Sequence, residues 1–371
     1  MDVNETAGLA EKGTGTRGGM GAGADLRHFR AADAAYVDYL DTRTLALLFC
    51  LMAVMAALQG AGLFHRAGEW LLRRTGTSRQ LEAALIFLCF FASMLVTNDV
   101  ALITFVPFAL EALGMAGLTR RAIPVVTMQT IAANLGSMAT PIGNPQNLYL
   151  YSRYHLGAGT FFTVTLPYVA LSALLLALFV ILQKPRPIQA PAFSGRLSYG
   201  KARFGVQAAL FALCLCAVAR VLNVWIAVAA VLVGMLLADR RALLRVDYAL
   251  LFTFAGFFVF IGNLGRMEAF SDFLRGVLAG REVPVSIAAS QVLSNVPAAL
   301  LLSGFTEDAV SLVIGTNLGG LGTLIASMAS LISFKRISLA MPEARGRYLA
   351  YFTLANLAFL AALCALWWIL R

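Results

Sequence analysis

Charge is scarce in this sequence. Asp, Glu, Lys and Arg make up 13% of 371 residues, about half of the ~25% found in soluble domains. Histidine is rarer still, with His28, His65 and His155 all outside the apolar runs, so a histidine-held metal within those runs is not expected. The five cysteines, Cys50, Cys89, Cys214, Cys216 and Cys364, each lie inside an apolar run. Their odd number and setting exclude a disulfide framework. Cys214 and Cys216 are two residues apart and face different sides of a helix, which makes a poor metal pair. Glu and His are missing from the apolar cores, and Asp99 stands alone there, so no catalytic set such as H-E-x-x-H is available and an enzyme is not expected. Residues 1–35 hold seven glycines but no apolar core of a signal peptide. They read as a disordered tail, bounded here at 1–36.

What the sequence has is apolar length. Hydrophobic residues form 60% of the chain, in runs near or above 18 residues. That is the mark of several transmembrane helices. The net charge of +10 sits in short segments between those runs, as the positive-inside rule requires of a multi-pass plasma-membrane protein. No basic face or stacking module for nucleic acid accompanies it. The basic segments place 65–79, 118–122, 184–202, 239–247 and 334–347 in the cytoplasm. The first span, 43–64, then runs inward, and a helix ahead of it is expected. Runs 80–96 and 100–117 flank Thr97-Asn98-Asp99 and lie between two basic loops. They read either as two separate short spans or, as favoured here, as a re-entrant hairpin with the polar residues at its tip. A half-span at 122–137 stops at "MATPIGNPQN" and resumes as "LYLYSRY". Span 160–182 returns to the Pro-rich, basic linker 184–202.

The second part repeats this plan. Runs 203–219 and 222–238 form an out-and-back pair, and 248–264 crosses outward. Residues 266–281 are amphipathic and interfacial, with Arg220 and Arg266 as snorkelling residues. A hairpin with Ser294-Asn295 at its tip follows, then a broken helix through "GTNLGGLGTLIAS", then a last helix at 348–370. "NLG" recurs at 134–136 and 317–319, with Thr140 and Thr323 each four residues after its glycine. By the charge count, the first hairpin opens to the cytoplasm and the second opens outward. The expected fold is therefore an all-α polytopic membrane protein of two inverted repeats, 37–183 and 203–371, each with a re-entrant hairpin and a broken helix. That pattern points to a secondary transporter. Free helix N-termini suit an anion. Carbonyl, Asn and Thr oxygens suit a small hard cation such as Na⁺. Pro141 and Pro145 break the first helix, and Gly143 lets backbone approach a ligand. Asn144, Gln146 and Asn147 offer amides to a dehydrated ion. Asp99 is a candidate Na⁺ ligand or proton carrier, or else the cap of a helix beginning at Val100. Glu111, near an arm end, reads as solvated.

The stretches "LVTNDVALITFVPFAL", "QTIAANLGSMATPIGNPQNLYLY", "SNVPAALLL" and "GTNLGGLGTLIAS" resemble the ion transporter superfamily. More narrowly, they are similar to citrate-transporter-like permeases, relatives of the divalent-anion/sodium symporters and the arsenite efflux pumps. The resemblance implies a homodimer in the bilayer that works by an elevator-like motion. It implies a small anionic substrate, coupling to Na⁺ or H⁺, and no other cofactor. Carried over, it assigns Thr97, Asn98 and Asp99 to the first tip. Thr140, Pro141, Gly143, Asn144, Gln146 and Asn147 fall at the first break, after Asn134. Ser294 and Asn295 fall at the second tip, and Thr316, Asn317, Gly319, Gly320 and Thr323 at the second break. Neither tip reads the full Ser-Asn-Thr of the symporter branch, so the resemblance leaves open whether the anion is citrate- or dicarboxylate-like or another. A Na⁺/H⁺ antiporter or a metalloid efflux permease is the alternative.

Overall fold

A computed structural model describes residues 35–189 and 201–371. The tail expected over 1–36 lies outside the described residues up to 34, as does the middle of the linker. Among the described residues the chain is helical, and its one extended contact is an isolated bridge between Thr77 and Pro187. In chain order the helices begin with α1 (Ala35–Asp38), α2 (Thr42–Gly60), α3 (Leu63–Leu72), α4 (Ser78–Ser93), α5 (Asn98–Met115) and α6 (Ala122–Gly136). Then come α7 (Pro145–Arg153), α8 (Ala158–Ile181), α9 (Lys201–Val218), α10 (Val224–Ala238), α11 (Arg240–Leu243) and α12 (Tyr248–Gly265). The chain closes with α13 (Glu268–Leu278), α14 (Glu282–Leu293), α15 (Asn295–Leu302), α16 (Ala309–Leu318), α17 (Met328–Ala340) and α18 (Arg345–Leu370).

Five of these, α2, α5, α8, α12 and α18, are long and apolar enough to cross a membrane. The helices around the polar breaks are shorter. At about 1.5 Å per residue, the 16 residues of α4 rise roughly 24 Å and the 10 of α16 roughly 15 Å. Both fall short of the ~30 Å hydrocarbon core. Outward faces of α8, α10, α12 and α18 carry exposed leucine, phenylalanine and tryptophan, the surface a bilayer would cover.

The centre is built by close approach. α4 packs on α6, and α14 packs on α16. A Cβ on Gly136 would lie 2.2 Å from the Phe90 carbonyl oxygen, and one on Gly319 would lie 2.5 Å from the Ser290 hydroxyl. The glycine of each "NLG" is therefore the contact point of a helix pair, small enough for backbones to meet. α6 and α5 both pack on α17, so the centre mixes elements from both parts of the chain.

Glu82 departs from expectation. The sequence leads one to expect apolar cores free of glutamate, yet Glu82 is 1% exposed near the start of α4. It accepts two hydrogen bonds at 2.7 Å from the Arg121 guanidinium. A carboxylate tolerates such burial only when paired. Cys214 is buried and Cys216 exposed, as their spacing implies. Arg220 donates to the Tyr151 carbonyl oxygen at 2.9 Å, and Arg266 stacks 5.2 Å over Tyr39. Glu111 is exposed.

Candidate functional site

Side-chain caps close some helix starts and are missing at the starts beside the breaks. Asp41, Thr77, Asn223, Asp247 and Asp308 each accept a backbone N–H with the side chain, closing the starts of α2, α4, α10, α12 and α16. Thr97, Asn144, Ser294 and Ser327 stand at the starts of α5, α7, α15 and α17. All four are residue types that favour capping, and none makes a cap bond. The positive dipole ends of those helices are therefore not closed by a cap from the residue that precedes them.

Backbone joins each tip to its break. The Asn98 N–H donates to the Gly143 carbonyl oxygen at 3.2 Å, and the Asn295 N–H to that of Ala326 at 3.0 Å. The Thr140 hydroxyl adds a bond to the Met94 carbonyl oxygen. Ser294 holds φ 75° and ψ 153°, a region that is essentially glycine's and costs roughly 1–3 kcal/mol. Gly143 has no room for a side chain, because its Cβ would sit 2.1 Å from the Ser137 carbonyl oxygen.

The two "NLG" asparagines cross between the parts. Asn134 Oδ1 accepts from Asn98 Nδ2 and from Ser327 Oγ, each at 3.0 Å, and Asn134 Nδ2 reaches the Gly320 carbonyl oxygen at 3.5 Å. Asn317 Nδ2 donates to Asn147 Oδ1 at 2.6 Å, while Asn317 Oδ1 accepts from Asn144 Nδ2 at 3.4 Å. Each asparagine thus reaches into the break of the other part. Asn147 Nδ2 also donates to the Ser137 and Thr140 carbonyl oxygens at 3.4 Å.

A cavity of about 370 Å³ opens beside the first of these groups. One face of α2, from Leu48 to Gln59, forms its wall, and Thr97, Asp99, Asn144 and Pro145 form its polar end. Arg245 and Asp247 line it as well. The starts of α5 and α7 therefore converge on one space. Asp99 Oδ1 and Asn144 Oδ1 are buried there without a hydrogen-bond partner. Asp99 does not cap a helix at Val100. α5 begins at Asn98, which places Asp99 inside the first turn, with its N–H bonded to Asn98 Oδ1 at 2.9 Å. Arg245 rests on Gly60, where a Cβ would come 2.2 Å from its Nη1.

The structure brings together Thr97, Asn98, Asp99, Asn134, Gly143, Asn144 and Asn147 with Asn317 and Gly320. Asn295 Nδ2 lies close to Gly320, 3.0 Å from where its Cβ would be. Pro141 is buried at the break. Gln146 is 1% exposed, and neither of its amide atoms has a partner. Thr316 turns its hydroxyl to the Leu312 carbonyl oxygen at 2.7 Å. Thr323 is exposed and bonded to Gln291. Two contributors escaped the sequence reading. Gln291 Nε2 donates to the Gly319 and Leu321 carbonyl oxygens at 3.0 and 2.9 Å and so holds the second break. Ser327 bonds Asn134. An isolated glutamine in an apolar arm was the available signal for the first; a serine among "ASMAS" gave none for the second.

The family model described as citrate transporter matches residues 24–307, which takes in both tips and the first break. Over 302 residues the chain is 30% identical to an uncharacterized transporter of Methanocaldococcus jannaschii, covering 80% of this chain and 81% of that protein. It is 29% identical over 311 residues to the inner membrane protein YbiR of Escherichia coli, covering 80% of each. It is also similar to the silicon efflux transporter LSI3 of Oryza sativa, at 37% identity over 123 residues, 33% of this chain and 25% of that protein.

Proposed function

The chain belongs to the citrate transporter family and is a multi-pass protein of the plasma membrane, and from that premise we propose that it is a secondary active transporter of a small anion. One observation carries the reading: four capping residue types at the central helix starts withhold their caps. The N-terminal ends of α5 and α7 converge on one cavity, and the dipoles of such ends attract anions. Asp99 complicates a purely anionic cargo, because a free carboxylate beside the cavity repels a dianion. A co-bound H⁺ or Na⁺ relieves that repulsion, so the cargo and a cation travel together. The paired tip-to-break bonds, at Asn98 and Asn295, support two inverted repeats with re-entrant hairpins. Alternating access in a homodimer completes the proposal.

The same carboxylate favours a second reading, efflux of a neutral oxyacid such as arsenous or silicic acid. Amides and N–H groups bind such hydroxyls without a charge conflict. Reconstituted vesicles loaded in turn with labelled citrate, succinate, arsenite and silicic acid discriminate the two, with a Na⁺ or pH gradient imposed or collapsed. Gradient-dependent movement of a carboxylate supports the first reading. Movement of the oxyacids alone supports the second. Na⁺/H⁺ exchange with no movement of any cargo would sink both.

A further inference from the structure

The start of α4, the turn after α5 and the end of α8 meet around a second cavity, of about 660 Å³. Arg120, Arg121, Lys184 and Arg186 line it against one carboxylate, Glu82. That carboxylate is already engaged, since it holds Arg121 through two 2.7 Å bonds. Arg121 Nη2 also donates to Gln183 Oε1 at 2.6 Å, and Arg79 donates to the Gln183 carbonyl oxygen at 3.0 and 2.8 Å. Backbone closes the frame, with the Ser78 N–H bonded to the Arg186 carbonyl oxygen at 2.8 Å and the Ile188 N–H to that of Gly76 at 3.1 Å. The frame is tied, yet Arg120, Lys184 and Arg186 have no acidic partner among the described residues. Three uncompensated cations around one hollow fit an anion with several oxygens, a phosphate-class group.

The cavity sits where the ends of α5 and α8, two helices long and apolar enough to cross a membrane, gather. Leu182 lines it and is 71% exposed. Leu174, Leu178 and Ile181 continue the exposed apolar face along α8. A hollow with cations inside and an apolar ridge leading away matches a headgroup with its acyl chain. We infer that this cavity binds the phosphate of an anionic phospholipid, whose chain lies along Leu174, Leu178 and Leu182. A free phosphate would satisfy the same cations but would leave the ridge without a role. The bound lipid braces α4, α5 and α8 against one another at their shared end.

The test uses the purified full chain, with native mass spectrometry to count retained lipid and thermal melting to read stabilisation. Phosphatidylglycerol, phosphatidylcholine and inorganic phosphate serve as separate probes. Phosphatidylglycerol should be retained in preference to phosphatidylcholine and should raise the melting temperature. The triple variant Arg120→Gln, Lys184→Gln, Arg186→Gln leaves the Glu82–Arg121 pair intact and should weaken retention about 10- to 100-fold. The charge-keeping variant Arg120→Lys, Lys184→Arg, Arg186→Lys should restore it, which separates lost binding from lost folding. Stabilisation by millimolar inorganic phosphate that displaces the lipid would assign the same cations to a soluble anion and overturn the lipid. Equal retention by wild type and triple variant, or no preference between the lipids, would overturn the site. None of these readouts requires transport, so failure here leaves the cargo question untouched.

Discussion

At the scale of single residues, Asp99 and the two crossing asparagines carry the most consequence. Asp99 sits in the first turn of α5 with one carboxylate oxygen buried and unbonded. An ionisable group inside a membrane protein is by default a candidate for function, and the proposal above gives Asp99 the co-transported cation as its partner. Asp99→Asn keeps the shape and removes the charge. A charge-assisted contact is worth about 1.5–3 kcal/mol, so cation-driven uptake should fall roughly 10- to 100-fold. Proteoliposome flux with and without the cation gradient measures this, and a variant that keeps both rate and cation dependence removes Asp99 from the mechanism. The sequence made this residue visible because a lone carboxylate in an apolar run has few innocent explanations. It could not show that Glu82 is buried, because the partner that permits burial, Arg121, lies 39 residues away, beyond the whole of α5. Asn134 and Asn317 stood out through the repeated "NLG", but their partners did not. Ser327 and Gly320 bond Asn134 from the far part of the chain, at separations no local pattern encodes.

At the scale of elements, the glycine of each "NLG" does different work from its asparagine. Gly136 and Gly319 set the distance between α6 and α4 and between α16 and α14. Gly136→Val would drive a branched side chain into the Phe90 carbonyl, and no rotamer of a neighbour relieves a backbone clash. Overpacking of this kind typically costs about 1–3 kcal/mol or more. A lowered thermal midpoint is expected for Gly136→Val, and a smaller drop for Gly319→Val, whose Cβ first meets the Ser290 side chain. Melting of the purified variants checks the order, and an unchanged midpoint for Gly136→Val would contradict the packing account. Helix positions were legible from apolar runs and basic loops, because both follow from bilayer thickness and charge. The interruptions were legible too, from Pro141, Pro145 and the clustered glycines. The withheld caps were not: Thr97 and Thr77 look alike in sequence, and only the fold decides which one bonds its own helix.

At the scale of the whole molecule, the two parts are stitched through their centres as well as by helix packing, such as α2 on α9 and α10. Asn134 finds two of its partners in the second part, Asn317 finds two in the first, and Thr130 bonds Ser333 across the same seam at 2.7 Å. Each part alone would bury amides with nothing to bond, at about 1–3 kcal/mol for each unsatisfied group. Residues 1–189 and 190–371, made as two polypeptides, should fail when expressed singly. Made together they should recover a complex that co-purifies and transports, and recovery of either one alone in folded form would refute this. The crossing asparagines therefore make each part the template on which the other finishes folding. A substitution at one of these asparagines should therefore be felt first in the half of the chain that does not carry it.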